Sequence, residues 1–257
     1  MESREEKYSR LKIIPEKENR LVSEGFFNNT LSVKQPEKGY RFSIDALVLA
    51  HQVNPDRNQK ILDLGTGCGI IALIVARRFP DIKIYGIEIQ EPMARLAHFN
   101  VFENNLEGQI KVICADMKCL CPKDIEGPVD MVVANPPFGK SGHSRFGQDM
   151  AKNVAKHEVF ATLSDIIEFS LRVLKDSGTL FMIYPAQRLT ELFYSLRSAK
   201  LEPKWFRTVH PQYHADANRG IVKAVKHGRG GLIIGAPLYV HGADGSYTPE
   251  IEKMFEL

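Results

Sequence analysis

The chain has 257 residues, of which 44% are hydrophobic and 25% are charged, and its formal net charge is +3. These values are typical of a soluble globular protein and exclude collagen-like and wholly disordered chains. The first ten residues are charged and no uncharged apolar run reaches about 18 residues, so we expect no signal peptide, no membrane association and a cytoplasmic location.

The first fifty residues have the pattern of an N-terminal extension to a larger domain. Residues 1–20 are rich in Glu, Lys and Arg and predict a loosely held arm. Two short apolar runs within residues 21–35 predict a small hairpin, and the apolar stretch Ala46–Val53 predicts a helix. We therefore expect the extension to occupy residues 1–50 and the main domain to occupy residues 51–257.

Beyond residue 60, apolar strands and helices alternate with short connections. In order, the pattern predicts strand Lys60–Leu64, helix Gly69–Phe79, strand Ile82–Ile87, helix Pro92–Glu103, strands Ile110–Ala115 and Val129–Ala134, helix Leu163–Leu174, strand Thr179–Tyr184 and helix Ala186–Ala199. This alternation favours an α/β fold with a doubly wound, mostly parallel sheet whose strands end at one edge. The last two candidate strands, Lys204–Val209 and Gly231–Leu238, have no helix between them. We expect them to form an antiparallel terminal hairpin, which completes seven strands.

A glycine-rich run, Asp63-Leu-Gly65-Thr-Gly67-Cys-Gly69, follows the first of these strands and opens the next helix. Glycines let a backbone turn sharply and approach a ligand closely, although a tight turn without any ligand has the same pattern. Glu88 ends the second strand, with Ile89 after it, where an acid accepts the ribose hydroxyls of a nucleotide. Asp116 and Met117 follow the third strand, where a carboxylate can accept from an adenine amino group and a thioether can pack on the ring.

Three such features at the ends of three adjacent strands predict one nucleoside pocket, whereas each acid alone would be a solvated loop residue. Asp63 decides which cofactor this pocket suits. A carboxylate is a poor neighbour for the pyrophosphate of a dinucleotide, but it suits the positively charged amino-acid end of S-adenosylmethionine. We therefore expect S-adenosylmethionine rather than NAD, bound through Asp63, Gly65, Gly67, Gly69, Glu88, Ile89, Asp116 and Met117.

The run Asn135-Pro136-Pro137-Phe138 follows the fourth strand. The Asn135 side-chain carbonyl and the Pro136 main-chain carbonyl can both accept from one NH₂ group, and two prolines fix the direction of the second acceptor. Phe138 offers a flat face on which a base can stack. A proline turn with an asparagine cap is the alternative interpretation. At the end of a strand beside a nucleoside pocket, the run instead predicts methylation of a planar amino group, accelerated mainly by positioning.

These motifs resemble those of the Rossmann-like class I methyltransferases, in the branch that methylates amino groups. The segment Gly39–Ala50 and the tail containing His210-Pro211 and Asp244–Thr248 are similar to bacterial tRNA1(Val) adenine-37 N6-methyltransferases. The resemblance runs over roughly residues 25 to 255. It implies an adenine in the anticodon loop of tRNA as the target. The residue roles that it implies are Asn135 and Pro136 as ligands of the amino group, with Asn135 also at the cofactor, Phe138 as the stacking residue, and Phe42 and Asp45 near the cofactor's methionine end.

Positive charge is concentrated in the stretch Lys204–Arg229, which includes Arg219 and Lys223. A second group of basic residues, which includes Lys140 and Arg145, follows Phe138. Such a stretch is either the solvated edge of a hairpin or a surface that contacts RNA phosphates. We interpret Lys140, Arg145, Arg219 and Lys223 as candidate RNA contacts.

Two alternatives to an RNA adenine methyltransferase remain open. A glutamine methyltransferase acting on a protein also has a planar amide NH₂ as its target, and the basic stretch argues against it. A non-catalytic RNA-binding module would not need the set Asp63, Glu88, Asp116 and Asn135. The four cysteines have neither CxxC spacing nor a histidine at a zinc-ligand interval, so we expect reduced thiols and no metal. We also expect a monomer.

Overall fold

The computed structural model describes residues 21–37, 43–136 and 161–256. The predicted site residues Phe42, Phe138, Lys140 and Arg145 lie outside these ranges. In chain order the elements are β1 (Leu21–Phe26), β2 (Leu31–Pro36), α1 (Ile44–Gln52), β3 (Lys60–Leu64), α2 (Ile70–Arg78), β4 (Lys83–Glu88), α3 (Glu91–Glu103), β5 (Ile110–Cys114), β6 (Val129–Ala134), α4 (Leu163–Val173), β7 (Leu174–Pro185), α5 (Leu189–Ser198), β8 (Leu201–Gln212), β9 (Arg219–Lys226), β10 (Ile233–Ile234), β11 (Leu238–His241) and α6 (Pro249–Phe255).

The described residues fall into two compact units, one comprising the residues up to 117 together with those from 247 onwards, and the other comprising residues 118–246. In the first unit, β3, β4 and β5 pair in parallel, with Leu64 opposite Ile87 and Glu88 opposite Cys114. Their near-continuous apolar sequences are typical of parallel strands that are covered on both faces. The carboxyl ends of the three strands therefore share one edge.

Within the first unit, two asparagine side chains of α3 hold the N-terminal hairpin of β1 and β2 in place. Asn104 accepts from the Ser32 N–H (2.9 Å) and donates to the Ser32 carbonyl (2.7 Å). Asn100, which is fully buried, accepts from the Lys34 N–H (2.9 Å) and donates to the Lys34 carbonyl (2.8 Å). Its amide nitrogen also donates to the carbonyl of Cys68 in the glycine loop (2.8 Å). Asn100 thus joins the outer edge of the hairpin to that loop.

We expect truncation of these two asparagines to lower the free energy of unfolding by different amounts. We expect Asn100→Ala to lower the free energy of unfolding by about 3 kcal/mol, because it leaves buried polar groups of Lys34 and Cys68 without partners. Asn104→Ala, at the exposed end of the same edge, should cost about 1 kcal/mol. Urea denaturation of the two variants measures both values. Equal losses would contradict the role assigned to burial.

In the second unit, β6 pairs in parallel with β7, and Ala134 lies opposite Met182. β9 runs antiparallel between β7 and β8, while the short strands β10 and β11 pair in parallel with β8. Arg219, at the start of β9, lies opposite Pro185 on one side and Val209 on the other. The ends of β6, β7 and β8 and the beginning of β9 therefore share one edge of this unit's sheet.

The α/β class, the parallel strands and the terminal antiparallel hairpin were predicted correctly, but the second strand of the hairpin was not. It is Arg219–Lys226, and within the predicted strand Gly231–Leu238 only Ile233 and Ile234 pair with β8 before β11 begins at Leu238. Strand β9 was not predicted because its basic residues are typical of a solvated stretch. β7 also begins earlier than predicted, at Leu174, because Leu174 already pairs with Val129. No helix in the described ranges is long and apolar enough to cross a membrane.

Candidate active site

The glycine loop leaves β3 and wraps the start of α2 in a conformation that needs glycine. Gly65, Gly67 and Gly69 have φ angles of 72°, 59° and 91°, which L side chains rarely adopt. The Gly65 and Thr66 N–H groups donate to the Ile87 carbonyl at 2.9 and 3.0 Å, so the loop is fixed to the end of β4. A Cβ placed on Gly65 would meet no described atom within 4 Å. The loop therefore leaves room for a ligand to approach its backbone there.

Asp63, at the base of this loop, is almost completely buried (1% exposed). Its Oδ2 accepts from the Thr66 hydroxyl (2.6 Å) and from the Ala72 N–H (3.3 Å). Its Oδ1 is buried and has no hydrogen-bond partner among the described residues. Burial raises the pKa of this carboxyl to about 6, against the two hydrogen bonds that lower it. A buried carboxylate oxygen without a donor is the acceptor that the ammonium of an amino-acid ligand requires.

Glu88 closes the loop from the end of β4 and is also buried. Its Oε2 accepts from the Gly67 N–H (2.9 Å) and its Oε1 from the Gln90 N–H (2.8 Å). Each carboxylate oxygen has about two acceptor sites, so Glu88 can accept ribose hydroxyls while it holds the loop. The sequence predicted only the first of these roles, because spacing along the chain does not show which backbone groups an acid will meet.

Apart from Asn135, the remaining cofactor candidates of the described chain also lie in the first unit. Asp116 and Met117 follow β5, where the Ala115 N–H donates to the Glu88 carbonyl (3.0 Å). Met117 is buried and Asp116 is half-buried, which suits an apolar contact beside a polar one. Ile89 is half-buried after Glu88, and Asp45 is half-buried in the first turn of α1. The glycine loop, Glu88, Ile89 and the Asp116–Met117 pair thus share the carboxyl edge of β3, β4 and β5.

In the second unit, Asn135 and Pro136 follow β6 and are both half-buried. A cavity of about 410 Å³ opens beside Pro136. It is lined by residues just before and in α4, at the end of β7, and just before and in α5, namely Ala161, Thr162, Leu163, Ser164, Ile166, Tyr184, Arg188, Glu191 and Ser195. No sequence motif indicated this cavity, because its lining comes from segments that are distant along the chain.

The basic stretch is largely engaged within the protein. Lys204 donates to the Arg229 carbonyl (3.0 Å) and Arg207 to the Ala236 carbonyl (2.6 Å). The Lys223 Nζ lies 5.5 Å from the centre of the Phe181 ring, in the middle of β9. Arg219 donates to the carbonyl of its neighbour Asn218 (2.9 Å), and it opens β9 at the sheet edge where β6 and β7 end. Of the two candidate RNA contacts in this stretch, Arg219 lies at the sheet edge and Lys223 lies in the middle of the strand.

An aromatic group that the sequence did not single out lies at the same edge, beyond the end of β8. The ring centroids of Tyr213 and Tyr239 are 4.7 Å apart and those of His210 and Tyr239 are 5.1 Å apart. Tyr213 is 46% exposed, and so it presents aromatic surface to solvent. His210 is fixed by contacts with the Ala215 carbonyl (2.8 Å) and the Thr208 hydroxyl (3.0 Å).

All four cysteines are described and none forms a disulfide. Burial raises the pKa of the Cys68 thiol to about 12, so this thiol is protonated at neutral pH. Within the described ranges, no group of three or more His, Cys, Asp and Glu side chains is placed to hold a metal ion.

Comparison with known proteins identifies the class and then the family. The model of the methyltransferase small domain matches residues 40–198. The crystal structure of a predicted O-methyltransferase from Agrobacterium tumefaciens is 25% identical, covers 82% of this chain and 94% of its own, and superposes with a TM-score of 0.66. A putative class I S-adenosylmethionine-dependent methyltransferase from Listeria monocytogenes, 15% identical, shares the fold with a TM-score of 0.55 over 83% of this chain and 71% of its own. Fold and glycine loop together define a Rossmann-like class I S-adenosylmethionine-dependent methyltransferase.

Curated relatives narrow this class. The tRNA1(Val) (adenine(37)-N6)-methyltransferase of Porphyromonas gingivalis is 30% identical over 204 residues, which is 77% of this chain and 78% of the relative. The enzyme of the same name from Aeromonas hydrophila is 25% identical over 226 residues, which is 87% of this chain and 92% of that one. The chain belongs to the family of the tRNA1(Val) (adenine(37)-N6)-methyltransferases.

Proposed function

We propose that this protein transfers a methyl group from S-adenosylmethionine to the exocyclic N6 amino group of an adenine in tRNA, at position 37 of the anticodon loop. The observation that carries the proposal is the Asn135-Pro136 pair at the end of β6, in a chain of this family. The pair offers two acceptors to one NH₂ group. We further propose that the protein acts in the cytoplasm as a monomer.

The residues of the first unit fit S-adenosylmethionine. Asp63 Oδ1, buried and without a partner among the described residues, would accept from its ammonium group. Glu88 would accept the ribose hydroxyls, Asp116 the adenine amino group, and Met117 would pack on the adenine ring. Open space at Gly65 admits the ligand next to the backbone. When bound, S-adenosylmethionine supplies an electrophilic methyl group on a sulfonium.

The amino group is activated by position rather than by a strong base. Asn135 Oδ1 and the Pro136 carbonyl would each accept one N–H of the adenine amino group. Two such bonds turn the nitrogen lone pair out of conjugation with the ring, so that it becomes available to the methyl group. The product ammonium loses its proton readily, and no general base is needed before the transfer. Fixing the nitrogen in line with the reacting bond lowers the barrier through orientation.

Methyl transfer itself tests the proposal. We expect purified protein and tritiated S-adenosylmethionine to label total tRNA rather than total protein, and nucleoside analysis to place the label in N6-methyladenosine. A tRNA1(Val) transcript with guanosine in place of adenine 37 should take up no label. Label in protein glutamine would favour the alternative considered from the sequence, and label in neither pool would contradict the proposal.

The candidate RNA contacts Arg219 and Lys223 give a separate prediction. Both are basic residues of β9, but Arg219 lies at the start of the strand and Lys223 lies in its middle. We expect Arg219→Gln to weaken tRNA binding about fivefold and to reduce the slope of log affinity against log salt by about one, as for a lost phosphate contact. Lys223→Gln, which removes the same charge from a side chain lying over Phe181, should change affinity less than about twofold. Filter binding between low and moderate salt measures both variants. An unchanged slope in Arg219→Gln would contradict the contact.

A further inference from the structure

The cavity beside Pro136 has a polar and aromatic lining that the methyl-transfer step does not use. We propose that it binds the nucleobase next to the target adenine, with the Arg188 guanidinium as the stacking surface, and that it thereby reads the sequence around the target. This inference rests on the proposed function. It adds a second recognition site to the one at Asn135 and Pro136.

The guanidinium of Arg188 is held as a flat surface. Its Cζ lies 5.2 Å from the centre of the Tyr184 ring, which supports one face. Glu191 accepts from Arg188 Nε (2.8 Å) and from one of its terminal nitrogens (2.9 Å), so two bonds along one edge fix the group in its plane. The side chain keeps one third of its surface exposed. A planar cation fixed in this way is a preferred stacking partner for an unpaired base.

The charge balance favours a base over a phosphate. Hydrogen bonds from Arg188 lower the pKa of Glu191, so the carboxylate is ionised at neutral pH and offsets the positive charge of the guanidinium. A phosphate placed here would meet the Glu191 anion as well as Arg188. A nucleobase carries no charge and offers a flat face to the guanidinium. The Ser195 side chain on the cavity wall adds a polar group for the base edge.

The position of the cavity indicates that it binds a nucleobase next to the target adenine rather than the target adenine itself. A target adenine must reach both Asn135 and the Pro136 carbonyl. Pro136 lines the cavity, whereas Asn135 is not among its described lining residues. A volume of about 410 Å³ is at the lower end of the range of about 300–1,000 Å³ for small-molecule sites, which leaves room for one nucleoside. Enzymes that modify single bases commonly set their sequence context through flanking nucleotides.

The experiment is a double-mutant cycle between protein and RNA. Anticodon stem-loops with an abasic site on either side of adenine 37 are methylated by the wild-type protein and by Arg188→Ala. We expect Arg188→Ala to raise KM for the intact stem-loop about tenfold, with kcat changed less than about twofold. One of the two abasic substrates should show the same loss with the wild-type protein and no further loss with Arg188→Ala. Additive losses for both abasic positions would overturn the proposal.

Two further variants separate stacking from charge and from general damage. Arg188→Lys keeps the charge and loses the plane, so we expect it to behave like Arg188→Ala, and full activity in Arg188→Lys would contradict stacking. Arg197→Ala removes an arginine of α5, the helix that begins directly after Arg188. Arg197 pairs with Glu202, and its loss should leave KM for RNA unchanged. An equal loss in Arg197→Ala would show that charge alone is responsible and would overturn the proposal.

The proposed function is tested independently of this site by the wild-type protein. If the wild-type protein does not methylate the intact stem-loop or tRNA, the proposed function fails and this inference fails with it. If the wild-type protein methylates RNA but Arg188→Ala has an unchanged KM, only the inference is overturned.

Discussion

Replacing Asn135 with alanine should lower kcat for methyl transfer to tRNA by about a thousandfold, a loss of the size found when one preorganised hydrogen-bonding group at a reacting centre is removed. The amide oxygen is one of the two acceptors that would hold the adenine amino group, and Pro136 cannot hold both protons alone. Single-turnover methylation of tRNA with saturating cofactor measures the effect on the chemical step.

The same variant separates catalysis from cofactor binding. Asn135 is one of the two acceptors proposed for the adenine amino group, whereas Asp63 and Glu88 are the residues proposed to hold the ammonium and the ribose of the cofactor. We therefore expect the affinity of Asn135→Ala for S-adenosylhomocysteine, measured by calorimetry, to stay within about threefold of the wild-type value. Asn135→Gln keeps the amide but moves its oxygen, and it should restore little activity. Full activity in Asn135→Ala would remove the proposed role.

The second large effect is expected at Asp63 and depends on pH. The pKa of its carboxyl is about 6 in the protein without ligand, and the ammonium of the cofactor pairs with the ionised form. Affinity for S-adenosylhomocysteine should therefore be full above pH 7 and fall about tenfold between pH 7 and pH 5. Below pH 6, binding should release a proton. Calorimetry in buffers of different ionisation enthalpy measures both quantities.

Asp63→Asn should weaken cofactor binding at pH 8 by about thirtyfold, a loss of about 2 kcal/mol, and should make the affinity independent of pH in this range. Asp81→Asn, which removes an exposed carboxylate paired with Arg57 in the same unit, is the matched control and should leave both properties unchanged. A pH dependence that persists in Asp63→Asn would contradict the assignment of the titration to Asp63.

The raised pKa of Asp63 also has a cost for the protein without cofactor. A carboxyl whose pKa rises from 3.8 to about 6 on folding binds its proton more tightly in the folded state, so its contribution to stability falls as pH rises between these values. Ionised Asp63 costs about 3 kcal/mol at pH 8 by this relation. A buried charge that weakens the fold and suits a ligand is typical of a functional residue.

Those parts of the site that depend on local pattern could be predicted from the sequence. Asp63, Glu88 and Asp116 each stand at or close to the carboxyl end of a strand that is recognisable from its apolar residues, and parallel strands place their carboxyl ends together. The position of Asn135 follows for the same reason. These positions need no knowledge of which side chains meet across the fold.

Arg188 and the true partner of β8 could not be predicted in this way. Arg188 stands in a polar segment after β7, where basic side chains usually face water. Its contact with Tyr184 arises only once the segment turns back over the strand. The strand Arg219–Lys226 carries three basic residues among apolar ones, and its charge suggested a solvated surface. Lys226 instead donates to the carbonyls of Leu171 and Leu174 at 2.8 and 2.7 Å, a use of charge that only tertiary structure shows.

The asparagine contacts between α3 and the N-terminal hairpin bear on the order in which the molecule folds. The hydrogen bonds of Asn100 and Asn104 to β2 join residues 66 and 72 positions apart in the chain. The hairpin can therefore reach its place only after β3, β4 and α3 have assembled, because contacts at long sequence separation carry a larger closure cost. The amides also cover an edge strand that would otherwise present unpaired groups to another chain. The hairpin is thus expected to be the late-folding, aggregation-sensitive element of the first unit, and its docking completes the support of the glycine loop through Cys68.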